Sequence, residues 1–532
     1  MATFTVTNTN NSGAGSLRQE ILDANASTGK NIINFSGLFN DGLAHTISLT
    51  GSSLSITNDI TIAGTNPNLL TIKDDSATRV FDIASGVTAA INGLTVTNTF
   101  NGSNNTDTRG GGGISNEGTL TLNNSIITGN SVGRVNLYYT GLSSSDGDGD
   151  GGGIYNSGIL TVNYSTITDN KSYDYYNSEG NGGGIYNSGI LTVNYSNITG
   201  NSATGDSYRD SSEAGGGICN SGTLILKGDN ISNNDSASGG GICNIQNNSL
   251  TVSNNSLTVS NSIINGNTAL SGGGIAIYDN GNLTVNYSII NGNTGGGILN
   301  FGNVTVNYST INGNTAGKLG GGGIDSAGNV TVNYSTINGN TAPYGGGIDT
   351  SYGNLTVNYS TINGNTANTT DPTYGNHGEG GGIFNFANST VTVKYSSISG
   401  NTAGTAGGGI YNEGVFNVSD SSISNNQAHF GAGIYNNGSL RVGNSTIKHN
   451  KAFGIELSSG SYQSGDGGGI YNNSTDGGTT TVDYSTIACN FDIPLEDSTK
   501  FIKHDDVAGK FINKGHNSIG TTSYTTAAGN LG

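Results

Sequence analysis

Acid–base chemistry on this chain would have to come from carboxylates, and one pair stands out by its spacing. Asp325 and Asp349 each follow the isoleucine of a Gly-Gly-Gly-Ile tetrapeptide, in consecutive copies of a sequence repeat. Clustered aspartates can act as general acid and base or bind calcium, often beside an arginine or lysine base. No arginine lies in the nearby repeats, and Lys318 is the nearest base. The sequence therefore favours two solvated aspartates and keeps them as weak catalytic candidates.

A second acidic group, Asp146-Gly147-Asp148-Gly149-Asp150-Gly151, matches the opening of a calcium-binding loop. Asp146, Asp148 and Asp150 would supply carboxylates at positions 1, 3 and 5, with a glycine at position 6. The glutamate expected at position 12 is replaced by Ser157. The sequence therefore leaves two interpretations open, a calcium site and a solvated acidic linker.

Cys219 and Cys243 occupy the same slot after the repeat isoleucine as the two aspartates do. If the repeats stack, their Cα atoms lie about 4.8 Å apart, within the range of a disulfide. A Cys219–Cys243 disulfide and a pair of thiols both remain open, and Cys489 has no partner in either case. The six histidines lie in unrelated contexts, and neither a zinc-ligand spacing nor a nucleophile elbow occurs.

The elements that position these side chains are repeats. The Gly-Gly-Gly-Ile tetrapeptide or a close variant occurs thirteen times, each copy followed by a strand-like segment such as Leu160-Thr161-Val162 and then by an asparagine. The isoleucine lies 16 residues before that asparagine in eight of the thirteen copies, whereas the asparagine lies 5 to 24 residues before the next isoleucine. This pattern predicts a coil of three short strands with one corner that accepts insertions.

The strand-like segments alternate with a period of two but are too short to be stable alone. Each becomes stable by stacking on the same segment of the next coil, about 4.8 Å away. The repeated glycines suit tight corners, where a positive φ is needed and a Cβ does not fit. The sequence therefore predicts an all-β fold, a right-handed parallel β-helix (a solenoid), with columns of isoleucine and valine in its core.

An asparagine closes the fixed part of every repeat. Stacked asparagine side chains can bond to one another along the axis and to backbone groups at turns, so we predict a structural ladder. Its members are Asn130, Asn170, Asn201, Asn234, Asn267, Asn293, Asn314, Asn340, Asn365, Asn401, Asn426, Asn450 and Asn490.

The chain is expected to contain four regions. Residues 1–42 form an N-terminal cap, in which Ser16-Leu17-Arg18-Gln19 has the form of a capping box and predicts a short helix over Ser16–Ala24. Residues 43–110 form irregular first coils. Residues 111–490 form the thirteen repeat coils, and residues 491–532 form a C-terminal coil and cap.

The motifs resemble those of known surface proteins. Phe4-Thr5-Val6-Thr7-Asn8-Thr9, followed by Gly15-Ser16-Leu17-Arg18-Gln19-Glu20-Ile21, resembles the N-terminal segment of bacterial β-helix repeat proteins of the CSLREA type. The Gly-Gly-Gly-Ile and Gly-Asn pairs are similar to the repeats of polymorphic outer-membrane proteins. The resemblance covers nearly the whole chain and implies adhesion or surface display.

The composition of the chain limits the classes of partner and the locations that are expected. The net charge is −18, and such an acidic surface repels phosphate backbones, so nucleic acid is not expected as a partner. No apolar run reaches about 18 residues, so no membrane-spanning helix is expected. Met1–Val6 lacks the basic and apolar regions of a signal peptide. The expected location is nevertheless extracellular or at the cell surface, as the resemblance implies.

Tyrosines mark the predicted binding face. The insertions of three consecutive coils, residues 131–150, 171–181 and 202–214, are rich in tyrosine, which offers a flat apolar face and a hydroxyl group. We therefore predict a secreted or cell-surface adhesion module that binds glycan or protein surfaces through these corner loops. The candidate ligand-binding residues are Tyr138, Tyr139, Tyr173, Tyr175, Tyr176 and Tyr208.

The sequence leaves two other functions open, and it favours a binding module over an enzyme without excluding an enzyme. Many β-helix proteins are similar to pectate lyases, so a polysaccharide lyase or glycoside hydrolase could use Asp325 and Asp349. Ice binding would use an outward threonine ladder, although β-propensity alone also gives such a ladder. That ladder comprises Thr161, Thr192, Thr284, Thr305, Thr331, Thr356 and Thr392.

Overall fold

The computed structural model describes most of the chain in two compact units, Met1–Asn282 and Leu283–Gly532. The described residues are 1–76, 79–98, 110–133, 150–173, 181–204, 214–245, 256–278, 281–317, 320–368, 378–456, 462–463, 465–473, 477–493 and 506–520.

One coil of the first unit shows the construction. Ile154–Asn156, Ile159–Asn163, Thr166–Thr168 and Lys171–Tyr173 follow one another as short strands. Each strand pairs in parallel with the matching strand of the next coil, residue for residue. The matching strands therefore form four parallel sheets, which we call C, A, B and D in the order in which one coil visits them.

In the first unit, sheet A contains Thr3–Val6, Asn31–Phe35, Ile60–Ala63, Thr88–Asn92, Thr119–Asn123, Ile159–Asn163, Ile190–Asn194, Thr223–Lys227 and Ser256–Ser260. Sheet B contains His45–Leu49, Leu70–Asp74, Thr95–Asn98, Ile126–Thr128, Thr166–Thr168, Asn197–Thr199, Asn230–Ser232 and Ile263–Asn265. Sheet C contains Leu54–Ile56, Phe81–Ile83, Ile114–Asn116, Ile154–Asn156, Ile185–Asn187, Ile218–Asn220, Ile242–Asn244 and Ile275–Ile277. Sheet D contains Ser131–Gly133, Lys171–Tyr173 and Ser202–Thr204.

In the second unit, sheet A contains Asn303–Asn307, Asn329–Asn333, Gly353–Asn358, Ser389–Lys394, Val415–Ser419, Ser439–Gly443, Thr479–Asp483 and Ile512–Asn513, and the strand Asn282–Asn286 begins at the unit boundary. Sheet B contains Ile289–Asn291, Thr310–Asn312, Thr336–Asn338, Thr361–Asn363, Ser397–Ser399, Ser422–Ser424, Thr446–Lys448, Thr486–Ala488 and Ser518–Ile519. Sheet C contains Ile298–Asn300, Ile324–Ser326, Ile348–Thr350, Ile383–Asn385, Ile410–Asn412, Ile434–Asn436, Ile470–Asn472 and Val507–Ala508. Sheet D contains Thr341–Ala342, Thr366–Ala367, Thr402–Ala403, Gln427–Ala428, Lys451–Phe453 and Phe491–Ile493, and Ile455–Glu456 pairs antiparallel with Tyr462–Gln463.

The predicted parallel β-helix is confirmed by this strand pairing. The fixed part of each repeat holds the strands of sheets C, A and B, whose short connections explain its constant length. The structure adds sheet D, because the residues just after the repeat asparagine pair with the next coil before any insertion begins. Phe81–Ile83 and Thr88–Asn92 are strands that lack the triple-glycine signature, and sequence analysis did not find them.

The predicted short helix is also present, as α1 over Leu17–Ala26. The Ser16 side chain accepts a hydrogen bond from the Gln19 backbone N–H at 3.2 Å, which caps the first turn. Leu17, Ile21 and Ala24 are buried. The helix contacts the strands Thr3–Val6, Asn31–Phe35 and Leu54–Ile56, so it covers the first coils of the first unit.

The core consists of aliphatic columns, as predicted. In the second unit the buried isoleucines include Ile324 and Ile348, which pair directly, and the valines include Val306 and Val332. Burial of each such side chain contributes about 1.5–3 kcal/mol. Because every column continues through successive coils, a single polar residue in it would meet apolar neighbours above and below.

The buried asparagines form a continuous hydrogen-bonded ladder within each unit. Asn340 shows the pattern: its backbone N–H and its Nδ2 group both donate to Oδ1 of Asn365 at 3.0 Å. The same Nδ2 group also donates to the carbonyl of Ile311 in the preceding coil at 3.0 Å. In the second unit the ladder ends at Asp506, whose Oδ1 accepts from the Asn490 side chain at 2.8 Å. The last residue of the ladder has no further coil to donate to, so it needs only to accept hydrogen bonds, and a carboxylate can do so.

We predict that Ile324→Asp abolishes cooperative folding of the second unit, because it would bury an unpaired charge in the isoleucine column. Ile324→Val keeps the column apolar and should cost only about 0.5–1.5 kcal/mol. Thermal unfolding followed by circular dichroism compares the two variants. Melting of Ile324→Asp at the wild-type temperature would contradict the register.

Candidate functional site

Most of the predicted tyrosine loops lie outside the described residues. Tyr138, Tyr139, Tyr175, Tyr176 and Tyr208 belong to that group. Tyr173 is described, and it lies in a sheet D strand rather than in an insertion. Its ring packs against Gly133 of the preceding coil, where an added Cβ would approach the ring to 2.6 Å. The Lys171 ammonium lies 5.9 Å from the centre of the same ring. Tyr173 therefore packs between coils.

The calcium-like motif is described only at its end. Asp146 and Asp148 lie outside the described residues, whereas Asp150 is buried and accepts a hydrogen bond from the Asn181 backbone N–H at 3.1 Å. In the part of the chain that the structure describes, no group of three or more His, Cys, Asp or Glu residues could hold a metal ion. Calcium binding by this loop stays a prediction from the sequence.

The two cysteines lie side by side, in register on adjacent strands of sheet C, and both are buried. Directly aligned residues of parallel strands point the same way, so their Cβ atoms stay near the strand spacing of about 4.8 Å. A disulfide needs Cβ atoms about 3.5–4.5 Å apart. A bond would therefore need a small approach of the two strands, and the choice between a Cys219–Cys243 disulfide and two thiols stays a prediction from the sequence.

Asp325 and Asp349 also pair directly on adjacent strands of sheet C. The interpretation as two solvated aspartates is wrong, because Asp325 is half-buried and Asp349 is only 5% exposed. The glycine segment before each isoleucine lies directly against this sheet. A Cβ on Gly321 would come within 1.8 Å of the Ile324 carbonyl oxygen and 2.7 Å of the Asp349 nitrogen. The slot after the isoleucine is therefore covered by the glycine segment.

Burial changes the acidity of this pair. Desolvation raises the pKa of Asp325 to about 6. Desolvation, reinforced by the neighbouring charge of Asp325, raises the pKa of Asp349 well above its usual value. Two carboxylates at one strand spacing cannot both ionise without repulsion, so the pair holds a proton at higher pH than an exposed aspartate does.

Beyond the pair, the same column of sheet C becomes aromatic. Phe384 follows Asp349 in register, and the rings of Phe384 and Tyr411 stack 4.8 Å apart. The stack continues to Tyr435 at 4.9 Å and to Tyr471 at 5.2 Å. Sheet C of the second unit therefore carries carboxylates and aromatic rings in one continuous column.

A second aromatic feature lies at the corner between sheets A and B of the second unit. Five tyrosines stack there, with ring centres 4.8 to 5.0 Å apart and planes within 12° of parallel. All five are at least 50% exposed. We call this set the tyrosine row: Tyr287, Tyr308, Tyr334, Tyr359 and Tyr395.

The backbone of the tyrosine row is unfavourable for tyrosine. All five residues have φ values between 49° and 51°, in the left-handed region. Bulky residues rarely adopt it, at a cost of about 1–3 kcal/mol, whereas asparagine and glycine fit well. Equivalent corners elsewhere do carry the better-suited types, such as Asn124, Asn261 and Asn444. Backbone preference therefore does not explain the tyrosines, and ring stacking offsets its cost.

The residues on either side hold the corner in place. Nδ2 of Asn333 donates to Oδ1 of Asn307 in the preceding coil at 3.0 Å. The Ser309 backbone N–H donates to Oγ of Ser335 in the next coil at 3.1 Å. The asparagine column runs through Asn286, Asn307, Asn333 and Asn358, so the first four tyrosines lie between two hydrogen-bonded columns, whereas Tyr395 follows Lys394.

The surface around Tyr287, Tyr308, Tyr334 and Tyr359 is polar and uncharged, whereas the exposed Lys394 lies directly before Tyr395. The threonines of sheet A, including Thr305, Thr331 and Thr356, form an in-register half-buried column beside it. On the sheet B side, the outward asparagines Asn338 and Asn363 are aligned in the same way. Between residues 283 and 363 the charged residues are Lys318, Asp325 and Asp349, and both aspartates belong to sheet C. The corner therefore presents repeated amide, hydroxyl and phenol groups.

These tyrosines belong to the repeat, and the residues predicted from the sequence to bind a ligand do not include them. The signal was present, since Asn-Tyr-Ser recurs at Tyr164, Tyr195, Tyr287, Tyr308, Tyr334 and Tyr359. What the sequence does not show is the left-handed backbone, which turns each ring outward at the corner.

Comparisons with known proteins add little to this description. The chain matches no protein-family model and no curated protein. A solved structure, tailspike protein 3 of bacteriophage CBA120, is similar with a TM-score of 0.27 and 10% sequence identity. The match covers 96% of this chain and 59% of the tailspike chain. The fold assignment rests on the strand pairing above, and the resemblance to CSLREA-type proteins rests on the motifs alone. In the described part of the chain, no helix is long and apolar enough to span a membrane.

We predict that the protein becomes more stable to heat as the pH falls from 7 to about 4. A folded-state pKa raised above its unfolded value contributes stability that is present below the unfolded pKa and is lost as the pH rises through the folded one. Asp325 and Asp229, each with a pKa of about 6, and Asp349 all shift in this direction.

Asp349→Asn removes the repulsion in the pair, so it should raise the melting temperature at pH 7 and flatten its dependence on pH. Asp169→Asn, at an exposed position with a positive φ that suits asparagine, changes the net charge equally and serves as the control. Identical pH profiles for the two variants would contradict the assignment of this effect to the buried pair.

Proposed function

We propose that this protein is a β-helix surface-binding module that recognises repetitive, uncharged glycan, outside the cell or at its surface. The observation that carries the proposal is the tyrosine row. It consists of exposed aromatic side chains, repeated at the strand spacing, at a position where the backbone favours asparagine or glycine.

The regular spacing of the row favours a ligand that is itself repetitive. Identical groups recur about every 5 Å along the row, so a polymer that repeats the same hydroxyl groups can make the same contact several times. Many weak contacts along one chain give avidity without a deep pocket. A linear or crystalline polysaccharide meets this requirement.

The chemistry of the corner suits a neutral ligand. Phenol, amide and threonine hydroxyl groups can donate and accept hydrogen bonds with sugar hydroxyls. Because the tyrosine rings stack on one another, they cover each other's faces and present their edges and hydroxyl groups to solvent. Binding would therefore use ring edges and hydroxyl groups along the row, and only the end rings could offer a free face for stacking.

The test is the combined variant Tyr308→Asn/Tyr334→Asn/Tyr359→Asn. Asparagine already occupies this corner at Asn124, Asn261 and Asn444, so the variant should keep its fold and its melting temperature to within a few degrees. We expect the wild-type protein to co-sediment with an insoluble neutral polysaccharide from a panel of cellulose, chitin, xylan and mannan. The variant should bind that polysaccharide at least about tenfold more weakly.

The matched control is Tyr164→Asn/Tyr195→Asn, which removes the stacked pair at the same corner of the first unit. It should leave binding unchanged. Failure of the wild-type protein to bind any neutral polysaccharide, or equal binding by the triple variant, would overturn the proposal.

The other hypotheses give different results in parallel assays. Binding that survives the triple variant but is lost when residues 131–150, 171–181 and 202–214 are shortened would place the site in the tyrosine loops. Thermal hysteresis by the wild-type protein would support ice binding through the threonine column instead. Release of reducing or unsaturated sugar that is lost in Asp349→Asn would support a hydrolase or lyase.

A further inference from the structure

The tyrosine row runs along the axis of the second unit, from coil to coil, and this direction limits the ligands that can use it. We propose that the row binds a β-1,4-linked polysaccharide whose chain lies along the row, with one sugar residue beside each coil. The proposal rests on the proposed function, and it adds the linkage of the glycan and the direction of its chain.

The chemistry of this corner repeats along the axis and changes across it. Along the axis, the rings of Tyr308, Tyr334 and Tyr359 stack with their centres 4.9 to 5.0 Å apart. Across the axis, Tyr334 is followed by the buried Ser335 and the half-buried Thr336. A polymer that crossed the coils would therefore meet one tyrosine and then other residue types, whereas a polymer along the row can make the same contact with each coil.

Polar columns accompany the row on both sides. On the sheet A side, Nδ2 of Asn333 donates to Oδ1 of Asn307 at 3.0 Å, and Nδ2 of Asn358 donates to Oδ1 of Asn333 at 3.1 Å. These bonds use one N–H and one lone pair of the Asn333 amide, which has two of each. On the sheet B side, Thr336 and Thr361 are aligned and half-buried. A chain on the row can therefore bond to amide and hydroxyl groups as well as to phenol groups.

The tyrosines remain open to solvent although their rings stack. Tyr308, Tyr334 and Tyr359 are each 50 to 51% exposed. Their ring planes are within 5° of parallel and their backbones are equivalent, so the hydroxyl groups recur at nearly the spacing of the ring centres. Each phenol hydroxyl can donate one hydrogen bond and accept others. The row thus presents a straight line of evenly spaced hydroxyl groups.

This spacing favours one class of glycosidic linkage. In a β-1,4-linked chain of glucose-like sugars, both bonds to a ring are equatorial and leave from opposite ends. The chain is therefore extended, and each residue advances by nearly one strand spacing. Successive residues turn alternate edges to the protein, but both edges carry oxygen atoms that can bond to a phenol. Chains with α-1,4 or β-1,3 linkages coil and advance by less per residue, so they would match the row at only a few points.

The length of the row sets the length of glycan that it can bind. Five rings lie in line, so an extended chain can contact all of them only if it has at least as many residues. Affinity should rise with chain length up to this limit, because each added residue makes one more weak contact within the same complex. Beyond it, further residues meet no additional ring of the row.

Isothermal titration calorimetry of the full chain with soluble oligosaccharides tests the linkage and the length. The β-1,4-linked ligands are cellohexaose, mannohexaose and N-acetylated chitohexaose, and the other linkages are represented by laminarihexaose and maltohexaose. We expect at least one β-1,4-linked hexaose to bind at least about tenfold more tightly than laminarihexaose or maltohexaose. The triose of the same series should bind at least about tenfold more weakly than its hexaose.

Single substitutions test the direction of the chain. Tyr308→Asn, Tyr334→Asn and Tyr359→Asn should each weaken hexaose binding by a similar factor of about two- to tenfold, the effect of losing one neutral hydrogen bond. Tyr164→Asn, at the same corner of the first unit, is the matched control and should leave binding unchanged.

The outcomes separate this inference from the proposed function. Binding that depends on the row but is equal for all linkages, or stronger for laminarihexaose or maltohexaose, would overturn the inference and leave the proposed function standing. So would equal affinity for triose and hexaose, or a loss confined to one of the three single variants, since the chain would then cross the row.

Absence of binding by every β-1,4-linked hexaose would also refute the inference, and co-sedimentation would then decide separately on the proposed function. Equal hexaose binding by the wild-type protein and by Tyr308→Asn/Tyr334→Asn/Tyr359→Asn would contradict both.

Discussion

Each coil in the asparagine ladder is tied to the next by a buried asparagine that leaves no freedom in the register. The oxygen of one side chain accepts two N–H groups from the preceding coil, as Oδ1 of Asn340 does from the backbone and side chain of Asn314, both at 2.9 Å. Sliding one coil by a single residue would leave those donors unpaired in the interior. The ladder thus fixes which residues stack on which, and the aliphatic columns supply most of the burial around it.

Because the register between coils is fixed, residues that repeat in the sequence form columns on the surface. When successive repeats carry the same residue at one position, those residues lie one above another at the strand spacing. Five tyrosines form one row in this way. The same rule brings Asp325 against Asp349 and Cys219 against Cys243, although the first contact is electrostatically unfavourable. The solenoid therefore suits ligands whose chemical groups repeat at a regular spacing. It also tolerates an unfavourable local contact such as the aspartate pair.

The sequence predicted the coil, the core columns and the capping helix, because each depends on local spacing that repeats thirteen times. It did not predict that the slot after the isoleucine is covered, since the glycine segment that covers it belongs to the corner of variable length. It also missed the tyrosine row, because the residue type at that corner gives no sign of a left-handed backbone. Tyr173, expected in a loop, packs between strands because sheet D begins immediately after the asparagine.

The most direct test of the central claim compares two asparagines of one coil, Asn340 in the ladder and the outward, half-buried Asn338 two residues before it. Asn340→Ala would leave the backbone N–H and one side-chain N–H of Asn314 unpaired in the interior, at about 1–3 kcal/mol each, although Nδ2 of Asn314 would keep its bond to the Ile290 carbonyl. Thermal unfolding should therefore show a large fall in melting temperature for Asn340→Ala and little change for Asn338→Ala. Equal, small effects of the two substitutions would contradict the claim that the ladder sets the register of the coils.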